Sequence, residues 1–162
     1  MKKILVIEDN ENHLADAKEF FSSIEAEFHF ASSLLDVVNM DGKDREYVTA
    51  WKNEIPTALK QFDGVITDFH FPEGGRANGS HDASHPIGLM IMLTAFFCEV
   101  PVIGITDQNH HADHMQWFTS FYRACSDEST NRLMDDVYWL KDGSKDWKSA
   151  WERLCSRMSA AQ

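Results

Sequence analysis

Basic residues are scarce in this chain. Lysine and arginine number 15 against 26 aspartates and glutamates, leaving a formal net charge of −11. A broad basic surface for nucleic acid or anionic lipid is therefore excluded, and so is direct nucleic-acid binding by that route. Cysteine is nearly absent as well. Cys98, Cys125 and Cys155 are far apart and odd in number, with no Cys-x-x-Cys spacing. Neither a disulfide framework nor a zinc knuckle is supported, and reduced thiols in a cytoplasmic protein are the expected state. No apolar run approaches membrane length. The opening "MKKILVIEDN" fails as a signal peptide, because its apolar stretch is only Ile4 to Ile7 and ends in two acids.

What is present is a regular alternation. "KILVIE", "GVITDF", "VPVIGITD" and "VYWLK" are short β-branched or aromatic runs of strand length. "AEFHFAS" alternates apolar with polar and suits a strand nearer an edge. Near-continuous apolar runs indicate strands covered on both faces, as in parallel sheets. Helical patterns lie between them. "NENHLADAKEFFSSIE" places Leu14, Ala17, Phe21 and Ile24 on one face behind an Asn10 cap. "PIGLMIMLTAFF" is apolar nearly all round, with Met90, Met92, Phe96 and Phe97 expected in the core. "SKDWKSAWERLCSRM" sets Trp147, Trp151, Leu154 and Met158 on one stripe behind a Ser144 cap. Between Ser33 and Gln61 two helical pieces are expected; Asp41-Gly42 marks a turn, and Pro56 breaks what would otherwise be one helix. Strands alternating with helices make right-handed βαβ units, so one doubly wound α/β domain over residues 1–162 is expected.

In such a sheet the C-terminal strand ends share one edge, where ligands bind. The first run ends in Glu8 and Asp9, the third in Asp68, the fourth in Thr106 and Asp107, and the last in Lys141. Three carboxylates, a hydroxyl and an ammonium are thus expected to converge. Crowded carboxylates either hold a proton or share a divalent cation, and an all-oxygen set suits Mg²⁺ with its retained waters. An aspartate can itself be the nucleophile of phosphoryl transfer, with metal and lysine neutralising charge on the transferring group.

From "KKILVIEDN" to the last helix the chain resembles the receiver domains of two-component response regulators. The resemblance implies a flavodoxin-like fold: a five-stranded parallel sheet in the order 2-1-3-4-5 with helices on both faces. It implies that Asp68 is the phosphoacceptor, and that Glu8, Asp9, Asp68 and the backbone carbonyl of His70 hold Mg²⁺. Pro72 matches the family's proline four residues beyond the phosphoacceptor. The resemblance further implies that Thr106 and Tyr138 are the switch residues, and that Lys141 is the lysine of the site. A sensor histidine kinase or a histidine phosphotransfer protein would be the phosphodonor. No residues are left over for a separate output domain, so the output would be a downstream protein target. Catalysis would be confined to self-phosphorylation and its reversal.

The chain also departs from the family pattern. Asp142 stands where a proline is usual. Asp107 stands where small residues are common, and it would narrow or repel access to the phosphoryl group. Insertions are expected within 33–61, 74–85 and 107–136. Six of the eight histidines fall between Asp68 and Met115, and His70 is the one placed to tune phosphate lifetime. Three rival readings stand beside the receiver. One is a phosphorylation-independent pseudo-receiver acting as a protein-interaction module. Another is an aspartyl-phosphate phosphatase, which favours a second acid where this chain has His70. The third is a transition-metal site built on "HHADH".

Overall fold

The computed structural model describes residues 1–46, 48, 51–69, 87–106, 137–139 and 145–160, with side chains for all of these but 51 and 137–139. Among these residues five strands form: β1 (Lys3–Ile7), β2 (Glu27–Ala31), β3 (Gly64–Asp68), β4 (Val102–Thr106) and β5 (Val137–Trp139). All pairings are parallel, and the order is β2-β1-β3-β4-β5, as expected. The alternating run is indeed an edge strand, and its residues are half-buried except Ala31.

Among the described residues five helices accompany the strands: α1 (Glu11–Phe21), α2 (Leu34–Asn39), α3 (Trp51–Leu59), α4 (Ile87–Phe97) and α5 (Trp147–Ala160). Because successive strand residues point to opposite faces, β1 feeds two cores. Leu5 and Ile7 join Leu34, Val37, Ile55, Leu59, Ile91 and Met92 under α2, α3 and α4. Ile4 and Val6 join Ala17, Phe21, Trp147, Ala150 and Leu154 under α1 and α5. Central strands wrapped on both sides need apolar residues at every position, which is why β3 and β4 are buried throughout.

Asn10 caps α1 as expected, its side chain accepting from the amides of Asn12 and His13 at 3.0 and 3.3 Å. The helix stops at Phe21, short of the expected Glu25. Ser22 and Ser23 turn their hydroxyls back onto the carbonyls of Glu19 and Phe20, which competes with further helical bonding. Ile24 still packs against the core beyond the helix end.

Three expectations need correction. Pro56 lies inside α3 and does not break it. The buried Ile55, Ala58 and Leu59 hold that helix onto the sheet and outweigh the N–H that proline cannot supply. The cap of α5 is Asp146, whose carboxylate accepts from the Ser149 amide at 2.9 Å and the Ser149 hydroxyl at 2.6 Å; Ser144 lies outside the described residues. On α4 only Met92 of the four expected core residues is fully buried. Met90, Phe96 and Phe97 are 47%, 42% and 79% exposed. A helix apolar all round carries no phase by which to tell the face that meets the sheet.

The stretch between β2 and β3 forms the two expected helices, and a single side chain ties them together. The Arg45 guanidinium donates to Asp41 through two nitrogens at 2.8 and 2.7 Å, to the Val38 carbonyl at 2.6 Å and to Glu54 of α3 at 3.2 Å. Gly42 makes the turn between, at φ 80°, a conformation that favours glycine. The guanidinium holds the Asp41 carboxyl well below the usual carboxylate range. Arg45→Lys keeps the charge and loses the planar fork. Amide exchange at Gly42 and Lys43 is then expected to accelerate by roughly ten-fold while β1 and β3 amides hold. Unchanged exchange at those two amides would show that the fork does not organise the turn.

Candidate functional site

Strand register decides what meets at the C-terminal edge. Ile7 pairs with Thr67 and Asp68 pairs with Ile105, so Glu8, Asp68 and Thr106 emerge side by side. Glu8 and Thr106 are fully buried and Asp68 is 5% exposed. One carboxylate oxygen from each of Glu8, Asp9 and Asp68 lies within 4.8 Å of the others. The sheet therefore brings together the acids that the sequence placed there, although they are separated by some sixty residues.

Each carboxylate is held. Glu8 accepts from the Asn10 amide at 3.0 Å, which couples it to the cap of α1. Asp68 accepts from the Phe69 amide through Oδ1 at 2.6 Å. The buried Lys145 ammonium joins the pair, donating to Glu8 Oε2 and lying 3.0 Å from Asp68 Oδ2. Burial pushes the Asp68 carboxyl up to about 7; Lys145 opposes that rise and the Glu8 charge adds to it. Glu8 is likewise raised, by burial first, against the pull of Lys145. Burial would depress Lys145, yet the two carboxylates outweigh it and its pKa is raised. Lys145 thus stays an ammonium, and the carboxyls compete for too little positive charge.

The count of charges makes the point chemically. Three carboxylates face one ammonium, so full ionisation leaves two surplus negative charges at a site where Glu8 and Asp68 are buried and Asp9 is half-buried. An oxygen-only donor set with that surplus fits a hard divalent cation such as Mg²⁺, supplied through two or three carboxylates with water completing the shell. Glu8, Asp9 and Asp68 are the residues that would hold it. Among the described residues this is the metal-type cluster; the "HHADH" histidines and His70, His81 and His85 lie outside them.

Among the described residues the ammonium at the acids is that of Lys145. Lys141 lies outside the described residues, as do Asp107, Pro72 and the His70 carbonyl; Tyr138 is described only in its backbone, paired with Ile105. Lys145 is not among the sequence-expected residues, because the residue that ends the last apolar run is Lys141. The signal that could have found it is the Asp146-x-x-Ser149 capping pattern. It starts α5 at Trp147, and a helix that follows a parallel strand begins at the C-terminal edge. The residue just before that cap is delivered to the site.

Against solved structures the chain is similar to a response regulator receiver protein from Sinorhizobium medicae, at 14% identity and a TM-score of 0.55 over 99% of this chain and 97% of that one. It is similar to the non-phosphorylated HemR receiver domain from Leptospira biflexa, at 17% identity and a TM-score of 0.50 over 98% and 95%. A third is the signal receiver domain of a LuxO repressor protein from Vibrio parahaemolyticus, at 9% identity and a TM-score of 0.52 over 99% and 92%. No protein-family model matches the sequence, and no curated protein matches it. The likeness is one of architecture, and the fold is the receiver fold. Among the described residues no helix is long and apolar enough to cross a membrane.

Proposed function

We propose that this chain is a phosphorylation-dependent signalling receiver, acting over its whole length as one unit of a two-component system. The observation that carries the reading is the buried Glu8–Lys145–Asp68 arrangement at the C-terminal edge of the sheet, with Asp9 and Thr106 beside it. An Asp68 carboxylate oxygen forms a bond to phosphorus while the phosphorus–nitrogen bond of a donor phosphohistidine breaks. The departing imidazole takes the electron pair, and the product is an acyl phosphate. Mg²⁺ bound by Glu8, Asp9, Asp68 and the His70 carbonyl would supply charge neutralisation for the phosphoryl oxygens. Lys145 is already within reach of the Asp68 side chain, and it pairs with a phosphoryl oxygen. Thr106 donates its hydroxyl to another, and Tyr138 follows that movement. The added charge then alters a surface that a protein partner reads.

The test treats wild type and Asp68→Asn with acetyl phosphate or beryllofluoride in the presence of Mg²⁺. Modification is expected on Asp68 in the wild type, with a change in tryptophan fluorescence, and on neither count in the variant. A wild type that stays unmodified on both readouts would leave the phosphorylation-independent interaction module as the function.

A further inference from the structure

Beside the acidic cluster, the backbone at Asp68 and Phe69 is gripped from two directions. The buried Thr67 hydroxyl donates to the Asp68 carbonyl at 2.8 Å. The amide of Gly88, in the first turn of α4, donates to the Phe69 carbonyl at 3.0 Å. Helix and strand end approach so closely that a Cβ on Gly88 would stand 1.9 Å from the Asp68 carbonyl oxygen and 2.8 Å from the Phe69 Cα. The atoms met are backbone, which cannot swing aside as a side-chain tip can. The same peptide unit carries the Phe69 amide that holds Asp68 Oδ1 at 2.6 Å. Moving this backbone therefore moves the carboxylate.

We propose that Gly88 and Thr67 are positioning residues that set the Asp68 carboxylate for phosphoryl transfer by clamping the Asp68–Phe69 backbone against the first turn of α4. Neither touches the transferring group. Gly88 acts through the space it leaves empty, and Thr67 through one hydrogen bond. The inference rests on Asp68 being the phosphoacceptor. A displacement approaching an ångström at a reacting carboxylate costs up to roughly a hundred-fold in rate.

A built-in comparison exists on the same strand. A Cβ on Gly64 would also be crowded, at 3.0 Å, but by the flexible Leu154 side chain. Gly88→Ala is expected to slow modification of Asp68 by acetyl phosphate at saturating Mg²⁺ roughly 10- to 100-fold. Gly64→Ala is expected to stay near the wild-type rate. The Phe69 amide proton resonance, read without phosphodonor, is expected to move in Gly88→Ala and to hold in Gly64→Ala. Thr67→Val removes the hydroxyl at nearly constant volume, is expected to slow modification by roughly three- to ten-fold, and decides the matter if Gly88→Ala does not fold. A wild-type rate with an unmoved Phe69 resonance in the clamp variants would overturn the proposal, as would equal slowing in Gly64→Ala. A wild type that is never modified counts against the receiver reading instead; the Phe69 resonance then still decides whether Gly88 positions the carboxylate.

Discussion

Lys145→Met is expected to cost the metal-free protein about 3 kcal/mol of stability at pH 8, and to make its folding strongly dependent on Mg²⁺. The side chain contacts Glu8 and Asp68 together, so its loss strands two buried carboxylates that already stand above their ordinary pKa values. Without the ammonium both carboxyls rise further. The variant therefore loses stability more steeply than wild type as pH rises from 5 to 8, and recovers toward it in acid. A divalent cation replaces the missing charge. At a hundred times its dissociation constant it returns about 2.7 kcal/mol, and the gain on adding Mg²⁺ should exceed that of wild type. Denaturant unfolding with EDTA or Mg²⁺, at pH 5.5 and 8, makes the measurement. Equal Mg²⁺ gains in the two proteins would mean that Lys145 and the cation do not share a task. Lys148→Met, an exposed lysine on the same helix, serves as the companion, expected to behave as wild type.

The second large effect concerns the charge on Asp68 itself. Its carboxyl titrates at about 7 in the folded protein against 3.8 for an unperturbed aspartate. Between those values the folded state holds a proton that the unfolded state has released. The stability this contributes is fully present below about pH 4 and is lost as pH rises through 7. Asp68→Asn removes the titration. It also removes an acceptor where two donors converge, from Phe69 and Lys145, so the variant has no advantage in acid. From pH 4.5 to pH 8 in EDTA its stability relative to wild type is expected to improve by about 2 kcal/mol, less than the full shift allows at 1.36 kcal/mol per unit. Parallel pH profiles for the two proteins would show that Asp68 is not raised.

Much of this architecture can be read from residue order. Four apolar runs of strand length, helical patterns between them and polar residues at their ends were enough to expect β1, β3, β4, β5 and the meeting of Glu8, Asp9, Asp68 and Thr106. Those features are local, or follow from the handedness of βαβ units. What stayed hidden depended on contacts that pattern does not encode. The uniformly apolar α4 gave no phase, so exposed Phe97 and buried Met92 looked alike. Pro56 looked like a breaker because its cost is local, whereas the burial that offsets it comes from the sheet. Lys145 carries no mark in the pattern, because the stop of an apolar run is visible in sequence while the contacts made beyond it are not. Gly88 reads as an ordinary glycine until the neighbouring backbone is seen.

The ion pair that closes the site joins residues 137 apart. During synthesis, Glu8 and Asp68 leave the ribosome long before the lysine that neutralises them. At common elongation speeds the interval between Glu8 and Lys145 is on the order of ten seconds. Through that interval the acids of the nascent chain lack the Lys145 ammonium. The acidic edge therefore gains the Lys145 ammonium only once the chain has been made as far as the start of α5.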